Sequence, residues 1–452
     1  MTTSVRPVPG LPREYHFPVF ERQILANGLR IIITPVRKLP VVTVLAVIDA
    51  GANSDPRGLE GLAQLTAEAL REGTGKHNGL EILEGFERIG SSLEAGADWD
   101  STIVSMTLLK EQLSIGHELL AEVLTTPSFP EHEVERLKAE RLAERLQILA
   151  EPRGLADESF SKFLYREDSR YSEPMSGNNT SISAITRKDV MEFFCSQYTP
   201  DATTVIIVGD IGIDEGVKLV TTALSSWQGR KSSAPVSGPQ EVRHVRAMEI
   251  VAKTDAAQAE LRLGHKGIPR SHPDYFSVVV MNAVLGGLFS SRINLNLREK
   301  HGYTYGASSY YDWRRDPGPF VIATAVQSEV VADAIREILN EIDGIRSGEI
   351  SADELSLATS YLEGVFPIRY ETTLAIASAL ATLIIFDLPD TFYDEYRQNI
   401  RNVSPAHVLK AARTYVLPEE LQIVVVGDPA VVKAPLEKLE FASVSLCPAM
   451  EA

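Results

Sequence analysis

Runs of β-branched residues mark the start of the chain as sheet. Leu29–Thr34 (LRIIIT) and Val41–Ile48 (VVTVLAVI) read as strands, and Ser101–Leu108 (STIVSMTL) alternates apolar and polar positions. Val134, Leu137, Leu142, Leu146 and Leu149 recur at helical spacing on a charged background, which predicts a helix over Glu133–Leu149. Thr186 and Asp189 form a capping-box pattern ahead of Val190-Met-Glu-Phe-Phe, so a helix should start there, and Thr204–Val208 should follow as a buried strand. Ser351 and Glu354 repeat that capping pattern. The longest apolar run, Leu374–Phe386, is broken by Ser378 and Thr382; it is too short for a bilayer and predicts a buried helix. Strands mixed with amphipathic helices imply antiparallel-type sheets with helices on one face, an α+β class.

The chain repeats itself. Gln197-Tyr-Thr-Pro-Asp followed by Val-Ile-Ile-Val-Gly209-Asp210 returns as Thr414-Tyr-Val-Leu-Pro followed by Ile-Val-Val-Val-Gly427-Asp428. Gly427 lies 218 residues after Gly209, and Ser404 lies 218 after Thr186 in a matching upstream block. Two blocks at one offset predict tandem halves, 1–228 and 241–452. The Gly/Ser/Pro-rich stretch Gly229–Gln240 (GRKSSAPVSGPQ) has no apolar periodicity and reads as the linker.

With 452 residues, 44% hydrophobic and 23% charged, the chain has the composition of an ordinary soluble protein of several compact units. A net charge of −17, with no Lys/Arg-rich run, argues against nucleic acid; it favours basic peptides, or serves solubility alone. Two cysteines, Cys195 and Cys447, exclude a disulfide framework. The opening residues lack an apolar signal core, so a cytoplasmic location is expected, or a periplasmic one if a leader has been removed.

Two stretches carry chemistry. Gly61–Thr74 reads GLAQLTAEALREGT, and Leu297–Tyr305 reads LREKHGYTY. The first is similar to the GLAHxxEHxxxxGT stretch of the inverted zinc peptidases, the superfamily of pitrilysin, insulysin and the mitochondrial processing peptidase. Ala26-Asn-Gly-Leu-Arg-Ile, Tyr198-Thr-Pro with Val208-Gly-Asp, and Gly286-Gly-Leu-Phe-Ser-Ser-Arg292 also fit, in order, so the resemblance runs from about Asn27 to Asp428. It implies two halves, each of two similar α+β modules, that close like a clamshell around an extended peptide.

In that family two histidines and a general-base Glu share one helix. Here Gln64 and Glu68 stand at the histidine positions and Ala67 at the base position. Residues i and i+4 still face one way, but a neutral amide is a poor zinc ligand. The third family ligand is a Glu on a later helix; Glu144 best matches its place, and Glu140 is the other register. None of the nine histidines supplies a replacement pair at helical spacing, and His265 and His301 read as surface or satisfied polar groups. Ala67 cannot move a proton, and Glu68 lies about 100° around the helix from it.

The second stretch is intact. Asn294–Lys300 looks helical, Gly302 is a natural stop, and Tyr303–Tyr310 should be the next strand. The resemblance assigns Tyr305 to the developing oxyanion and Arg298 to the substrate backbone, roles that suit a phenol and a fixed guanidinium. Residue types alone leave a structural role open, since Arg near a helix C-terminus also complements the dipole. Gly286-Gly287 lacks the context of a phosphate loop and reads as a turn for close packing. Gln258 resembles part of the family's edge region, where peptide adds as a strand.

Some members of this superfamily divide the machinery between subunits, one carrying the metal and the other the Arg/Tyr pair. The chain fits the second role. The expectation is a subunit without its own metal that binds extended peptide and completes the site of a homologous zinc-bearing partner, zinc being the partner's cofactor. Two alternatives stand beside it: a non-catalytic structural or peptide-holding protein, for which a homodimer would speak, and an active peptidase with an altered metal site at Gln64, Glu68 and Glu144. No membrane or nucleic-acid partner is expected.

Overall fold

The computed structural model describes residues 14–232 and 240–448. The first half forms a six-stranded sheet of β1 (Glu21–Ile24), β2 (Arg30–Pro35), β3 (Val41–Ile48), β4 (Glu94–Ala97), β5 (Thr102–Leu109) and β6 (Thr203–Gly209), in the order β1-β2-β6-β3-β5-β4, with the β-branched runs as the inner strands β2, β3 and β6. The second sheet holds β7 (Ala247–Ala252), β8 (Ala259–Lys266), β9 (Ala307–Tyr311), β10 (Pro319–Val326), β11 (Gln422–Gly427) and β12 (Ser443–Cys447), in the order β12-β7-β11-β8-β10-β9. Both are mainly antiparallel; the parallel pairs are β2/β6, β7/β11 and β7/β12.

The sequence repeat is a repeat of register. β6 and β11 each lie third in their sheet, parallel to one neighbour and antiparallel to the other. Arg30 faces Thr204 across β2/β6, and Ala247 faces Gln422 across β7/β11. The class is α+β. The module count is two in all, one sheet per half, where four were expected.

Four helices frame the sites: α1 (Leu62–Ala69), α2 (Glu131–Ala150), α3 (Pro152–Leu164) and α4 (Thr373–Ile385). α4 lies across β3 and β6 of the first sheet, and α3 lies across β8 and β11 of the second. Each sheet is therefore covered on one face by its own half and on the other by a helix from the opposite half. This corrects the expectation of helices on one face only. It also explains why β6 and β11 are buried at every position and read as unbroken apolar runs. Ile206 and Val208 join a core shared with the second half, while Val205 and Ile207 join the first half's own. The apolar run at Leu374–Phe386 is the buried α4, held at its start by a Thr43–Thr373 hydroxyl contact of 2.8 Å.

The predicted capping boxes at Thr186 and Ser351 open the helices Arg187–Gln197 and Ala352–Arg369. α2 is helical as expected but turned. Its buried stripe runs Val134, Leu137, Lys138, Arg141, Arg145, Leu149, while Leu146 faces solvent. Among the described residues one helical run, Tyr275–Lys300, has the length and apolarity of a membrane span, but half its most apolar stretch is buried and a turn at 288–291 breaks it. It is the core helix of the second half. Within the linker, residues 233–239 lie outside the described residues; just before them the Lys231 ammonium pairs with Asp49 at 2.7 Å. Cys195 and Cys447 are both free.

His265 is a satisfied core histidine: Nδ1 bonds the Lys266 carbonyl at 2.9 Å and Nε2 accepts from the Leu417 amide at 3.0 Å. His117 is 1% exposed, and neither ring nitrogen has a partner. Burial pushes both imidazoles down to about 4. The unfolded chain therefore takes up protons between pH 6.5 and 4 that the folded chain refuses, and stability falls as pH drops through that window. Each group contributes on the order of 3 kcal/mol to that loss. Denaturant midpoints at pH 7 and pH 4.5 should lie closer together for His117→Leu than for the parent protein, with the variant the more stable of the two at pH 4.5.

Candidate functional site

The start of α1 is built by a buried carboxylate. Asp55 accepts from the Gly61 amide at 2.8 Å and the Ala63 amide at 2.7 Å, and the Arg170 guanidinium donates to it at 3.0 Å. Gly61 sits at φ +97°, and a Cβ there would meet the Ser176 carbonyl oxygen at 2.3 Å, so the position needs glycine. From this anchor α1 buries Leu62, Ala63, Leu65, Thr66, Ala67 and Ala69. Only Gln64 and Glu68 remain half-buried, on the face expected from their spacing. Ala67, at the base position, is sealed in the apolar core at 0% exposure.

A guanidinium stands over the Gln64/Glu68 face. Arg141, 7% exposed on α2, donates from Nη1 to Gln64 Oε1 at 2.8 Å and from Nε to Glu68 Oε2 at 3.1 Å, while Nη2 donates to Glu68 Oε1. Gln64 Nε2 in turn donates to the carbonyl of Ala97, on the edge strand β4, at 3.2 Å. The result is a bidentate Arg–carboxylate pair, closed by an amide, tying α1 to α2 and β4. Glu144 lies on the exposed side of α2, and Glu140 is exposed and paired with Arg136 at 2.7 Å. Neither reaches Gln64 or Glu68; the α2 residue that does is Arg141. One turn further, Arg145 makes a buried pair with Glu158 at 3.0 Å and bonds the Gly177 carbonyl.

Zinc does not fit this set. Its ligands must present lone pairs to a cation, and here the carboxylate and the amide oxygen are both committed to Arg141, itself a cation. No cluster of three His, Cys, Asp or Glu suited to a metal occurs among the described residues. Sequence reasoning missed Arg141 because the leucines at 142 and 146 draw a stripe of their own along the helix. The available signal was the i, i+3, i+4 series Val134–Leu137–Lys138–Arg141–Arg145, which gives an equally regular face with its charges inward.

The second stretch lies in the other half. Gly286-Gly287 closes the helical segment Ala283–Gly287 and is not itself a turn; Gly286 packs against β9, since a Cβ there would meet Ser309 Oγ at 2.4 Å. Asn294 ties the helical turn to the strand by accepting from the Ala307 amide at 3.0 Å. Leu295–Lys300 is helical with a wider, π-type turn, and Gly302 ends it at φ +67°. Arg298 stacks over the exposed Phe289 ring at 4.6 Å and pairs with Glu299 at 3.2 Å. The strand begins at Ala307, so Tyr305 stands in the preceding loop, 90% exposed, and not on the strand as expected. No hydrogen bond joins Arg298 to Tyr305, and none among the described residues joins this pair to the Gln64–Arg141–Glu68 set. Gln258 precedes β8, which pairs with both β10 and β11. That strand has no free edge for a peptide, so the edge-region expectation for Gln258 is corrected.

The family descriptions "Insulinase (Peptidase family M16)" and "Peptidase M16 inactive domain" match residues 31–177 and 184–362 in turn. The chain belongs to peptidase family M16. It is similar to the uncharacterized zinc protease YmxG of Bacillus subtilis, at 25% identity over 74% of this chain and 81% of that one. An uncharacterized zinc protease of Streptomyces coelicolor is 23% identical over 88% of each chain. The M16 fold is shared with a peptidase M16 inactive domain from Pseudomonas fluorescens (TM-score 0.84, 24% identity, 90% of this chain and 98% of that one). A protease from Helicobacter pylori gives a TM-score of 0.82 at 20% identity, over 91% of this chain and all of that one. Arg141 stands over the face of α1 that carries Gln64 and Glu68.

Arg141 should be the barrier to metal. The purified protein is expected to hold far less than one zinc per chain by elemental analysis. The Gln64→His/Ala67→Glu/Glu68→His variant should stay zinc-free while Arg141 remains, and adding Arg141→Glu should bring about one zinc per chain.

Proposed function

We propose that this chain is the metal-free subunit of a two-subunit M16 peptidase. It binds an extended peptide and contributes Arg298 and Tyr305 to a site completed by a homologous, zinc-bearing subunit. The observation that carries this reading is the contrast between the two stretches. The ligand face of α1 is consumed by Arg141, whereas Arg298 and Tyr305 have accessible polar groups that no fold-stabilising bond requires.

The chemistry follows from those groups. The Arg298 guanidinium has donors left over beyond its pairing with Glu299, and they suit a substrate carbonyl. The Tyr305 phenol, free in an open loop, can donate to an oxygen that gains negative charge as a peptide carbonyl becomes tetrahedral. Proton transfer to water has no agent here, because Ala67 is buried among apolar groups. Hydrolysis therefore belongs to the partner, and this chain holds and polarises the substrate. The loop placement of Tyr305, with no bond to Arg298, favours one second reading: a peptide-holding protein whose pair never meets a catalytic centre.

The two readings separate by reconstitution. The chain alone should not cleave a fluorogenic peptide, and addition of the metal-bearing subunit should give activity above that subunit alone. In the mixture Tyr305→Phe should lower kcat by about a hundredfold, with Arg298→Ala raising KM as well. Unaided hydrolysis that a chelator abolishes, or full activity of the doubly substituted mixture, would overturn the proposal.

A further inference from the structure

The exchange of α3 and α4 creates two related cavities, one at the C-terminal end of each crossing helix. At the end of α4 a cavity of about 520 Å³ is lined by residues between Leu383 and Asp390, the start of β2 at Arg30, and Arg22 on β1. At the end of α3 a cavity of about 1030 Å³ is lined by Tyr165–Asp168, the start of β7 at Ala247, and Ser443 and Cys447 on β12. Arg30 and Ala247 hold equivalent places in the repeat, so these are the same corner of the fold built twice.

Their charges are handled differently. In the first cavity two of the three arginines are neutralised by carboxylates of the lining, Arg22 by Asp390 and Arg315 by Asp49 at 2.9 Å, while Arg30 donates to the Thr204 hydroxyl at 2.9 Å. The second is lined by Arg57, Lys162, Arg166, Arg243 and Arg246 against three carboxylates, Glu167, Asp168 and Glu249. Arg166 has distant partners, Asp168 at 3.8 Å and Glu241 at 3.6 Å. Arg57, Lys162, Arg243 and Arg246 make no ion pair with any described residue. Two are held in place by rings, Arg243 over Phe163 at 4.9 Å and Arg246 over Phe441 at 3.7 Å. Glu249 on the floor is half-buried, and burial raises its carboxyl above the usual range while Arg243 and Lys162 pull it down. A net cationic groove on a chain of charge −17 runs against the rest of the molecule.

A second observation selects the ligand. Among the described strands β12 pairs only with β7 and is the outer strand of its sheet. No described residue pairs with its outer edge, whose amides and carbonyls lie beside the groove and suit a polypeptide and not a free anion. We propose that the cavity between α3, β7 and β12 is a docking site for an extended acidic peptide segment. The segment adds to β12 as a further strand, and alternate Asp or Glu side chains lean over Lys162, Arg243 and Arg246. The site is in place before binding, because the rings already orient two of the cations. It is independent of Arg298 and Tyr305.

The test is fluorescence anisotropy of the full chain with a labelled peptide of about ten residues, alternating Glu and Val. Binding should saturate and weaken as salt is raised from about 50 to about 200 mM. It should fall by about tenfold or more in Lys162→Glu/Arg243→Glu. A peptide N-methylated at alternate amides should bind poorly, inorganic phosphate should not compete at millimolar concentration, and Arg298→Ala/Tyr305→Phe should bind as the parent does. Because Arg243 packs on Phe163, the pair Arg57→Glu/Lys162→Glu gives the same reading without touching a side chain stacked on a ring. Absence of saturable binding, equal binding by the charge-reversed variants, or equal binding of the N-methylated peptide would overturn the assignment. Competition by phosphate alone would mean a bare anion site and would overturn it too.

Discussion

Mutual coverage of the two sheets is the constraint on which the rest of this structure depends. A sheet with one face on its own helices and the other open to water would alternate apolar and polar residues along its central strand. β6 and β11 do not alternate; every residue in them is buried. Neither half can therefore satisfy its own central strand, and each lends a helix to the other. The exchanged helices α3 and α4 set the positions of the two cavities and of the segments that flank them, so the surface features follow from the same necessity.

At the α1 face, an amide and a carboxylate one helical turn apart share a single cation. A metal site on such a helix would need side chains one helical turn apart to present lone pairs to one ion. In this chain those side chains converge on the guanidinium of Arg141. The pairing makes a three-way tie between α1, α2 and β4, without the chemistry a metal would supply. A guanidinium offers donors only, has no open position for water, and does not lower a bound water's pKa. The cluster therefore acts as a fold element, with 32% of the Glu68 side chain left exposed.

The class, the strands and the internal repeat were legible because they rest on periodicity and local chemistry. Val41–Ile48, Thr186 with Asp189, and the two Val-Gly-Asp strand ends each carry their signal within a few residues. The illegible parts depended on contacts across the chain. The stripe of α2 could be drawn through Leu142 and Leu146 or through Arg141 and Arg145, and only the presence of Glu68 and Glu158 opposite decides for the arginines. Gln258 was misplaced for a similar reason: whether a strand is central or outer depends on its neighbours, which lie far away in sequence. Tyr305 fell in a loop because the strand waits for Asn294 to bind Ala307, two residues later.

The lending of helices has a mechanical consequence. Separating the halves of one chain by a hinge at Gly229–Gln240 would strip α4 from β3 and β6 and α3 from β8 and β11 at once, exposing two apolar sheet faces to water. Such a motion would cost as much as partial unfolding, so the fold opposes a hinge between its two halves. If two such chains form a peptidase, as proposed above, access of a polypeptide would depend on how the chains part from one another and not on a hinge within either.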